Sequence, residues 1–184
     1  MKKLLLLPLL FAFALMANAQ STDYHAFKVD IQVGYASPSG SSGDGGTKGG
    51  ATFTIQPHYR ISNDFALGLR LEGAAIGYIN KAVSSDTKVY LLTSYMLTAE
   101  YYFTNNGFRP FIGAGAGLVY QRSASGDSDY AGLVSGGSRV GAFPELGFEY
   151  GHLRVSADYD AMGKGANYFA FKIGAFFGGG SKKK

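Results

Sequence analysis

Residues 144–160 read PELGFEYGHLRVSADYD and contain two segments with the same alternation, joined by the dipeptide Gly151-His152. Apolar or aromatic residues occupy every second position, and charged or small residues fill the positions between them. Successive side chains of a β-strand point to opposite faces of the sheet. The stretch therefore predicts two antiparallel strands joined by a tight turn, with one apolar face and one polar face.

The same period of two extends over the chain from Phe27 onward. It marks eight predicted strands, at residues 27–35, 52–61, 65–72, 89–103, 109–121, 140–150, 153–160 and 169–177. The sequence therefore predicts an all-β protein built from eight antiparallel strands.

One face of these predicted strands is free of charge. None of its positions holds Asp, Glu, Lys, Arg or His, whereas the opposite faces carry six basic and seven acidic residues. The charged residues are Lys28, Asp30, Arg60, Arg70, Glu72, Glu100, Arg109, Glu145, Glu149, Arg154, Asp158, Asp160 and Lys172. A near-equal mixture of opposite charges suits an enclosed polar lumen, where paired charges are tolerated and unpaired ones are costly. A soluble β-sandwich, whose polar faces meet water, is the alternative.

The connections between the strands alternate in length. Long ones span residues 38–49, 80–86, 122–138 and 162–167, and short ones span residues 62–64, 104–107 and 151–152. Aromatic residues gather at both ends of the predicted strands. Barrels of the bacterial outer membrane combine long outer loops, short periplasmic turns and two aromatic girdles. The predicted fold is thus an eight-stranded antiparallel up-and-down transmembrane β-barrel.

The first residues have the features of a secretory signal peptide. Lys2 and Lys3 precede the apolar stretch 4–17, and Ala17-Asn18-Ala19 provides a small-x-small cleavage sequence. The apolar stretch is shorter than the ~20 residues that a membrane-spanning helix requires. We expect residues 1–19 to be a cleaved signal peptide and residues 20–184 to form a single exported barrel domain.

The composition excludes several other classes of protein. Five of the 17 Lys and Arg residues lie at positions 2–3 and 182–184, which leaves twelve basic residues against 13 acidic ones. No basic face remains for phosphates, so a nucleic-acid partner is not expected. The chain has no cysteine, which excludes a disulfide scaffold, and its 15% aromatic content excludes disorder.

Two stretches, RPFIGAGAG at 109–117 and PELGFEY at 144–150, resemble the strand and hairpin sequences of small outer-membrane β-barrel proteins of Gram-negative bacteria. This eight-stranded class includes outer-membrane protein X and the membrane domain of outer-membrane protein A. The resemblance implies a location in the outer membrane, contact with outer-membrane lipid and insertion by the barrel-assembly machinery. Members commonly end on an aromatic residue, whereas Phe176 and Phe177 are followed here by residues 178–184. The resemblance implies no catalytic residue.

The predicted function is a structural or surface-interaction role in the cell envelope, without catalysis. Loops carry most of the specific functions of rigid scaffolds. The connection 122–138 contains the external apolar cluster of Tyr130, Leu133 and Val134. We expect these residues to extend the adjoining strands above the membrane or to contact a surface partner.

A narrow channel for ions or a small solute is the second interpretation. The interior of an eight-stranded barrel is just wide enough for side chains to fill. Small residues that point inward leave space there, namely Gly68, Gly113, Gly115, Gly117, Gly141 and Gly147. These glycines alternatively accommodate strand coiling and packed rings, in which case the interior is closed.

A lipid-modifying enzyme is the third interpretation. It needs a histidine with a nearby serine and carboxylate, and none of His25, His58 and His152 has a serine two residues away on a lipid-facing strand. Asp127 and Asp129 fall short of the 6–8 oxygen ligands that calcium takes. No metal or other cofactor is therefore expected.

Three prolines, Pro57, Pro110 and Pro144, fall inside predicted strands. Proline removes a ladder hydrogen bond and is expected only at sheet edges or bulges. The sequence therefore predicts a local β-bulge at each of them.

Overall fold

The computed structural model describes residues 24–39, 45–80, 87–125, 134–163 and 167–179. The eight strands are β1 (Phe27–Pro38), β2 (Gly45–Arg60), β3 (Phe65–Asn80), β4 (Thr87–Tyr102), β5 (Phe108–Ser125), β6 (Val134–Tyr150), β7 (Leu153–Asp160) and β8 (Tyr168–Gly178). Each strand pairs antiparallel with the next, and β8 pairs with β1 to close the sheet. The predicted eight-stranded up-and-down barrel is confirmed, and the β-sandwich alternative is wrong. The predicted signal peptide, residues 1–19, lies outside the described residues.

Short turns join the strands at one end of the barrel, called here the short-turn end. Ser62 Oγ accepts hydrogen bonds from the backbone amides of Asp64 and Phe65, which closes the turn between β2 and β3. Gly151 has a φ of +60°, which suits the two-residue turn between β6 and β7. The Asn105 side-chain amide donates to Asp64 Oδ1 at 2.8 Å and so links two neighbouring turns.

At the opposite end, called the loop end, the strands are longer than the sequence predicts. β2 begins at Gly45, β5 reaches Ser125 and β6 begins at Val134, so part of the predicted loops is strand. Polar Ser- and Gly-rich residues form ladder hydrogen bonds without apolar alternation, and hydrophobic patterning therefore misses them. Among the described residues, no helix is long and apolar enough to span a membrane.

The prediction of bulges at the prolines is wrong. Pro57 pairs with Val29, and Pro110 and Pro144 pair with residues of the neighbouring strand in unbroken register. Register shifts occur instead at Thr47/Gly50 and at Tyr120/Arg122. Because the N–H of a strand residue points toward only one neighbouring strand, a proline removes one bond without requiring an extra residue.

The two faces of the sheet have opposite environments. The apolar face points outward, and Leu97 and Val140 each have 74% of their surface exposed. The polar face points inward and is buried. Apolar clusters close both ends of this interior: Met96, Phe143, Met162 and Tyr168 lie among others at the loop end, and Ala66, Tyr102 and Phe111 at the short-turn end. The core of the protein is therefore its lumen.

Candidate functional site

The structure places all thirteen charged residues of the predicted lumen set inside the barrel. Each has a relative exposure of 5% or less. Each also has an oppositely charged group within 4.0 Å. The network divides into two clusters along the barrel axis.

The lower cluster lies toward the short-turn end. Its members are Lys28, Asp30, His58, Arg60, Glu100, Tyr102, Arg109, Glu145, Glu149 and Arg154. The Glu149 carboxylate pairs with Lys28 and Arg109 and accepts from Arg154 Nη1 at 2.9 Å. Arg154 Nη2 donates to Glu100 Oε1 at 2.6 Å and to Glu145 Oε1 at 3.3 Å. Shared partners make this cluster one connected network, so removing one member affects several others.

His58 joins the lower cluster between two carboxylates. Its Nε2 lies 2.7 Å from Asp30 Oδ2, and its Nδ1 lies 3.6 Å from Glu100 Oε2. The three side chains come from β2, β1 and β4, and they bring potential metal ligands within 4.8 Å of one another. Lys28 Nζ and Arg154 Nη1 already lie 3.2 and 3.3 Å from Asp30 Oδ2. Because a divalent cation would be repelled by these two groups, we assign the triad to the ion network.

The upper cluster lies toward the loop end. Its members are Arg70, Glu72, Asp158, Asp160, Tyr168 and Lys172. Arg70 Nε donates to Glu72 Oε2 at 2.9 Å, and Arg70 Nη2 lies 3.1 Å from Asp160 Oδ1. Lys172 pairs with Glu72 and lies 3.0 Å from Asp158 Oδ2. The guanidinium carbon of Arg70 lies 3.9 Å from the centre of the Phe143 ring, which packs over it.

Neutral polar side chains fill the space between the two clusters. Gln56 Nε2 donates to Glu100 Oε1 at 3.1 Å, and Thr54 Oγ1 donates to Glu72 Oε2 at 2.7 Å. Gln32 Nε2 donates to Ser156 Oγ at 3.2 Å. Gln56 thus extends the lower cluster, and Thr54 extends the upper one, into this middle region of the interior.

Tyr24 covers the lower cluster at the short-turn end. Its ring centre lies 4.6 Å from the guanidinium carbon of Arg60 and 4.7 Å from that of Arg109. The ring centre of Tyr102 lies 4.7 Å from the same guanidinium carbon of Arg60. The Tyr24 hydroxyl donates to the carbonyl oxygen of Asn105 at 2.5 Å. Residues before β1 thus contribute to closing the lumen, which no strand pattern in the sequence indicates.

The expectation that inward glycines leave open space is wrong at the positions where rings pack. A Cβ atom at Gly115 would lie 2.5 Å from the Phe143 ring, and one at Gly147 would lie 2.7 Å from the Phe111 ring. At Gly141 the nearest atom is Val119 Cγ2 at 2.7 Å. These glycines accommodate large neighbouring side chains. A closed interior of fixed width has room for an aromatic ring only where the neighbouring residue has no side chain.

Other predicted site residues are less completely described. Tyr130 and Leu133 lie outside the described residues, as do Asp127 and Asp129, and Val134 is the first residue of β6. His152 lies in the turn before β7 and stacks on Phe176 with ring centres 5.8 Å apart. In the described part of the chain, neither ring nitrogen of His58 has a hydroxyl hydrogen-bond partner.

Comparisons with known proteins agree with this architecture. Neisserial surface protein A superposes with a TM-score of 0.60 at 20% identity, covering 83% of this chain and 96% of that protein. Ail of Yersinia pestis, solved with the heparin analogue sucrose octasulfate, gives 0.53 at 14% identity over 84% and 99%. OprG of Pseudomonas aeruginosa gives 0.51 at 13% identity over 88% and 100%. These identities establish a shared fold and no more.

A search of curated proteins found no match. A family model described as outer membrane protein beta-barrel domain matches residues 5–175. The matched range covers all eight strands except the last residues of β8. The chain therefore belongs to the outer membrane β-barrel protein family and is located in the outer membrane of a Gram-negative bacterium.

Proposed function

We propose that this protein is a non-catalytic barrel with a structural or surface-interaction role in the cell envelope. The observation that supports this most is the closed, charge-paired interior. All thirteen charged lumen residues are buried, and each has an opposite charge within 4.0 Å. Separating the partners of a buried ion pair is costly in free energy, because it leaves an unpaired buried charge. Such an interior therefore favours a rigid support over a conduit.

The structure gives less support to a channel than the sequence does. Rings of Phe111 and Phe143 fill the space beside the inward glycines, and Tyr24 covers the short-turn end. An ion crossing this lumen would have to displace Arg154 from its partners or pass Phe143, which packs on Arg70. Each of these steps exposes a buried charge, which is costly.

The enzyme interpretation gains no support from His58, the histidine inside the described part of the barrel. His58 is flanked by Asp30 and Glu100, and catalysis by nucleophile activation needs a hydroxyl on one side of the ring. His58 is also buried inside the barrel, which keeps its ring away from lipid. We therefore keep His58 in the structural network.

The surface-interaction part of the proposal depends on the loop end, where β5 and β6 extend to Ser125 and Val134. Ail was solved with a heparin analogue, and that ligand is a property of Ail. It nevertheless suggests sulfated polysaccharide as a first surface to test. The connection between β5 and β6 contains Tyr130, Leu133 and Val134, which we expect either to extend these strands above the membrane or to contact a surface partner.

The test compares cells that display the full chain with cells that display a Tyr130→Ser, Leu133→Ser, Val134→Ser variant. Binding to immobilised heparin and to epithelial cells is measured at equal surface amounts. The proposal predicts a loss of binding of about tenfold for the triple variant, with an unchanged heat-dependent gel shift. Equal binding by both strains, or no binding by either, would reject the surface-contact role and leave the structural role.

A further inference from the structure

Arg122 is a charged residue on the outward face of the barrel. It lies near the end of β5 and pairs in register with Leu91 of β4, whose side chain is exposed on the outward face. Among the described strand side chains, Arg122 is the one charged group on that face. Its outward position follows from the extension of β5 to Ser125, which the sequence assigns to a loop.

A cavity of about 410 Å³ lies beside this side chain on the outer wall. It is lined by Thr93, Tyr95, Tyr120 and Arg122. The two tyrosine rings meet edge to face, with centres 6.0 Å apart and planes at 82°. The cavity therefore combines a cation, three hydroxyl groups and two ring surfaces, unlike the apolar wall around it.

The outward tyrosines indicate where this cavity lies relative to the membrane. Tyr35, Tyr120 and Tyr159 are outward residues toward the loop end, where an aromatic girdle marks the lipid headgroups. Arg122 lies two residues beyond Tyr120, which is about 7 Å farther along the strand. The guanidinium is thus at the level of the headgroups of the outer leaflet.

The charge environment of Arg122 differs from that of the lumen arginines. Arg60, Arg70, Arg109 and Arg154 each have a carboxylate within 4.0 Å. In the described part of the chain, no carboxylate lies within that distance of Arg122. An arginine presents paired N–H donors that match a phosphate, so an anion is the ligand that complements Arg122 and the neighbouring hydroxyls.

We propose that Arg122, Thr93, Tyr95 and Tyr120 form a binding site for a phosphate group of an outer-leaflet lipid. Arg122 donates to the phosphate oxygens, and the hydroxyls of Thr93 and the tyrosines provide further donors. The tyrosine rings pack against the sugar or the upper acyl chain. A lipid is the fitting ligand because the cavity opens on the bilayer side of the wall. Lipid binding at this site does not depend on whether the lumen conducts ions, because the site lies on the outer wall.

The test uses the full barrel purified in detergent and bisphosphorylated lipid A as the probe, with bound lipid counted by native mass spectrometry. Arg122→Gln should weaken lipid A binding about tenfold or more, as expected for loss of a charge-assisted bidentate contact. Arg122→Lys should recover part of the affinity, since it keeps the charge and loses the paired donors. The matched control is Arg139→Gln, because Arg139 lies at the same end and donates to the Gly163 carbonyl oxygen at 3.1 Å.

Two further arms identify the ligand chemistry. Lipid A without phosphates should bind the parent about as weakly as bisphosphorylated lipid A binds Arg122→Gln, and millimolar inorganic phosphate should compete poorly. Equal affinity of Arg122→Gln and the parent, or equal binding of the two lipid A forms, would overturn the proposal. Full competition by inorganic phosphate would assign the site to a free anion and would also overturn it. All variants must keep the gel shift of a folded barrel.

Discussion

Arg154 of β7 and Glu100 of β4 form an ion pair across the barrel interior, with Nη2 2.6 Å from Oε1 and neither side chain more than 1% exposed. β4 and β7 are not neighbours in the sheet. The same guanidinium lies 3.3 Å from Asp30 of β1 and contacts Glu145 and Glu149 of β6. The Arg154 side chain thus links β7 to β1, β4 and β6 through the interior of the barrel. Backbone hydrogen bonds join these strands only around the circumference.

Arg154→Met should therefore destabilise the barrel strongly. Removing one partner of a buried ion pair leaves uncompensated charge and costs about 3–5 kcal/mol. The measurement is a urea titration of the protein in phospholipid vesicles, with the folded fraction read from the gel shift of unheated samples. Adding Glu100→Gln to Arg154→Met should restore part of the loss, because it removes one of the stranded carboxylates. A midpoint equal to that of the parent would contradict a structural role for the network.

Gly115→Ala tests whether packed rings fill the lumen. Its Cβ would lie 2.5 Å from Phe143 and 2.8 Å from the Leu97 carbonyl oxygen, so we expect a loss of about 1–3 kcal/mol. Gly73→Ala is the matched control, since nothing lies within 4 Å of a Cβ at that position. It should leave the urea midpoint unchanged or raise it. Equal tolerance of both substitutions would show open space beside Gly115.

Leu97→Arg tests the lipid contact of the outer wall. Leu97 lies within β4 with 74% of its surface exposed, and an arginine near the bilayer midplane of a barrel costs about 2–4 kcal/mol. Phe103→Arg, just beyond the end of β4, should cost about 0–1 kcal/mol because it lies near the interface. The two free energies of unfolding are compared in the same vesicles. If both substitutions cost equally little, the outward face does not contact hydrocarbon at Leu97.

Tyr24→Ala tests the cover at the short-turn end. The substitution removes two stacking contacts, with Arg60 and Arg109, and each is worth about 0.5–2 kcal/mol. Tyr24→Phe keeps the ring and loses the hydrogen bond to Asn105, so it should retain most of the stability. Equal destabilisation by the two variants would show that the hydroxyl, and not the ring, secures this segment.

The sequence predicts the barrel well because lipid and a closed lumen impose opposite demands on alternate residues. Both strands of the 144–160 hairpin end where the alternation ends, at Tyr150 and Asp160. The lumen charges follow from the same alternation, since every charged position on the polar face is inward and buried. One face of each strand contacts lipid, so a one-residue shift in strand register would move charged side chains into hydrocarbon. The alternation of apolar and polar residues is therefore strongly constrained.

Other features depend on geometry that a linear pattern does not contain. His58 meets Asp30 and Glu100 because strand register brings β1, β2 and β4 together inside the barrel. Tyr24 precedes the first alternating segment, so no periodicity indicates that it covers Arg60. Arg122 follows the last apolar residues of β5, and backbone pairing alone continues the strand there. The predicted bulges at the prolines are wrong because the loss of one ladder hydrogen bond does not require an extra residue in the strand.

The most direct test of the closed interior is single-channel conductance of the refolded barrel in a planar bilayer, after the gel shift confirms folding. We expect no discrete conductance steps from the parent, because the charged side chains fill the lumen and pair across it. Arg109→Gln and Glu145→Gln should be equally silent if they fold. Reproducible steps in the parent, changed in size by either substitution, would contradict a closed interior and make the lumen residues part of a conducting path.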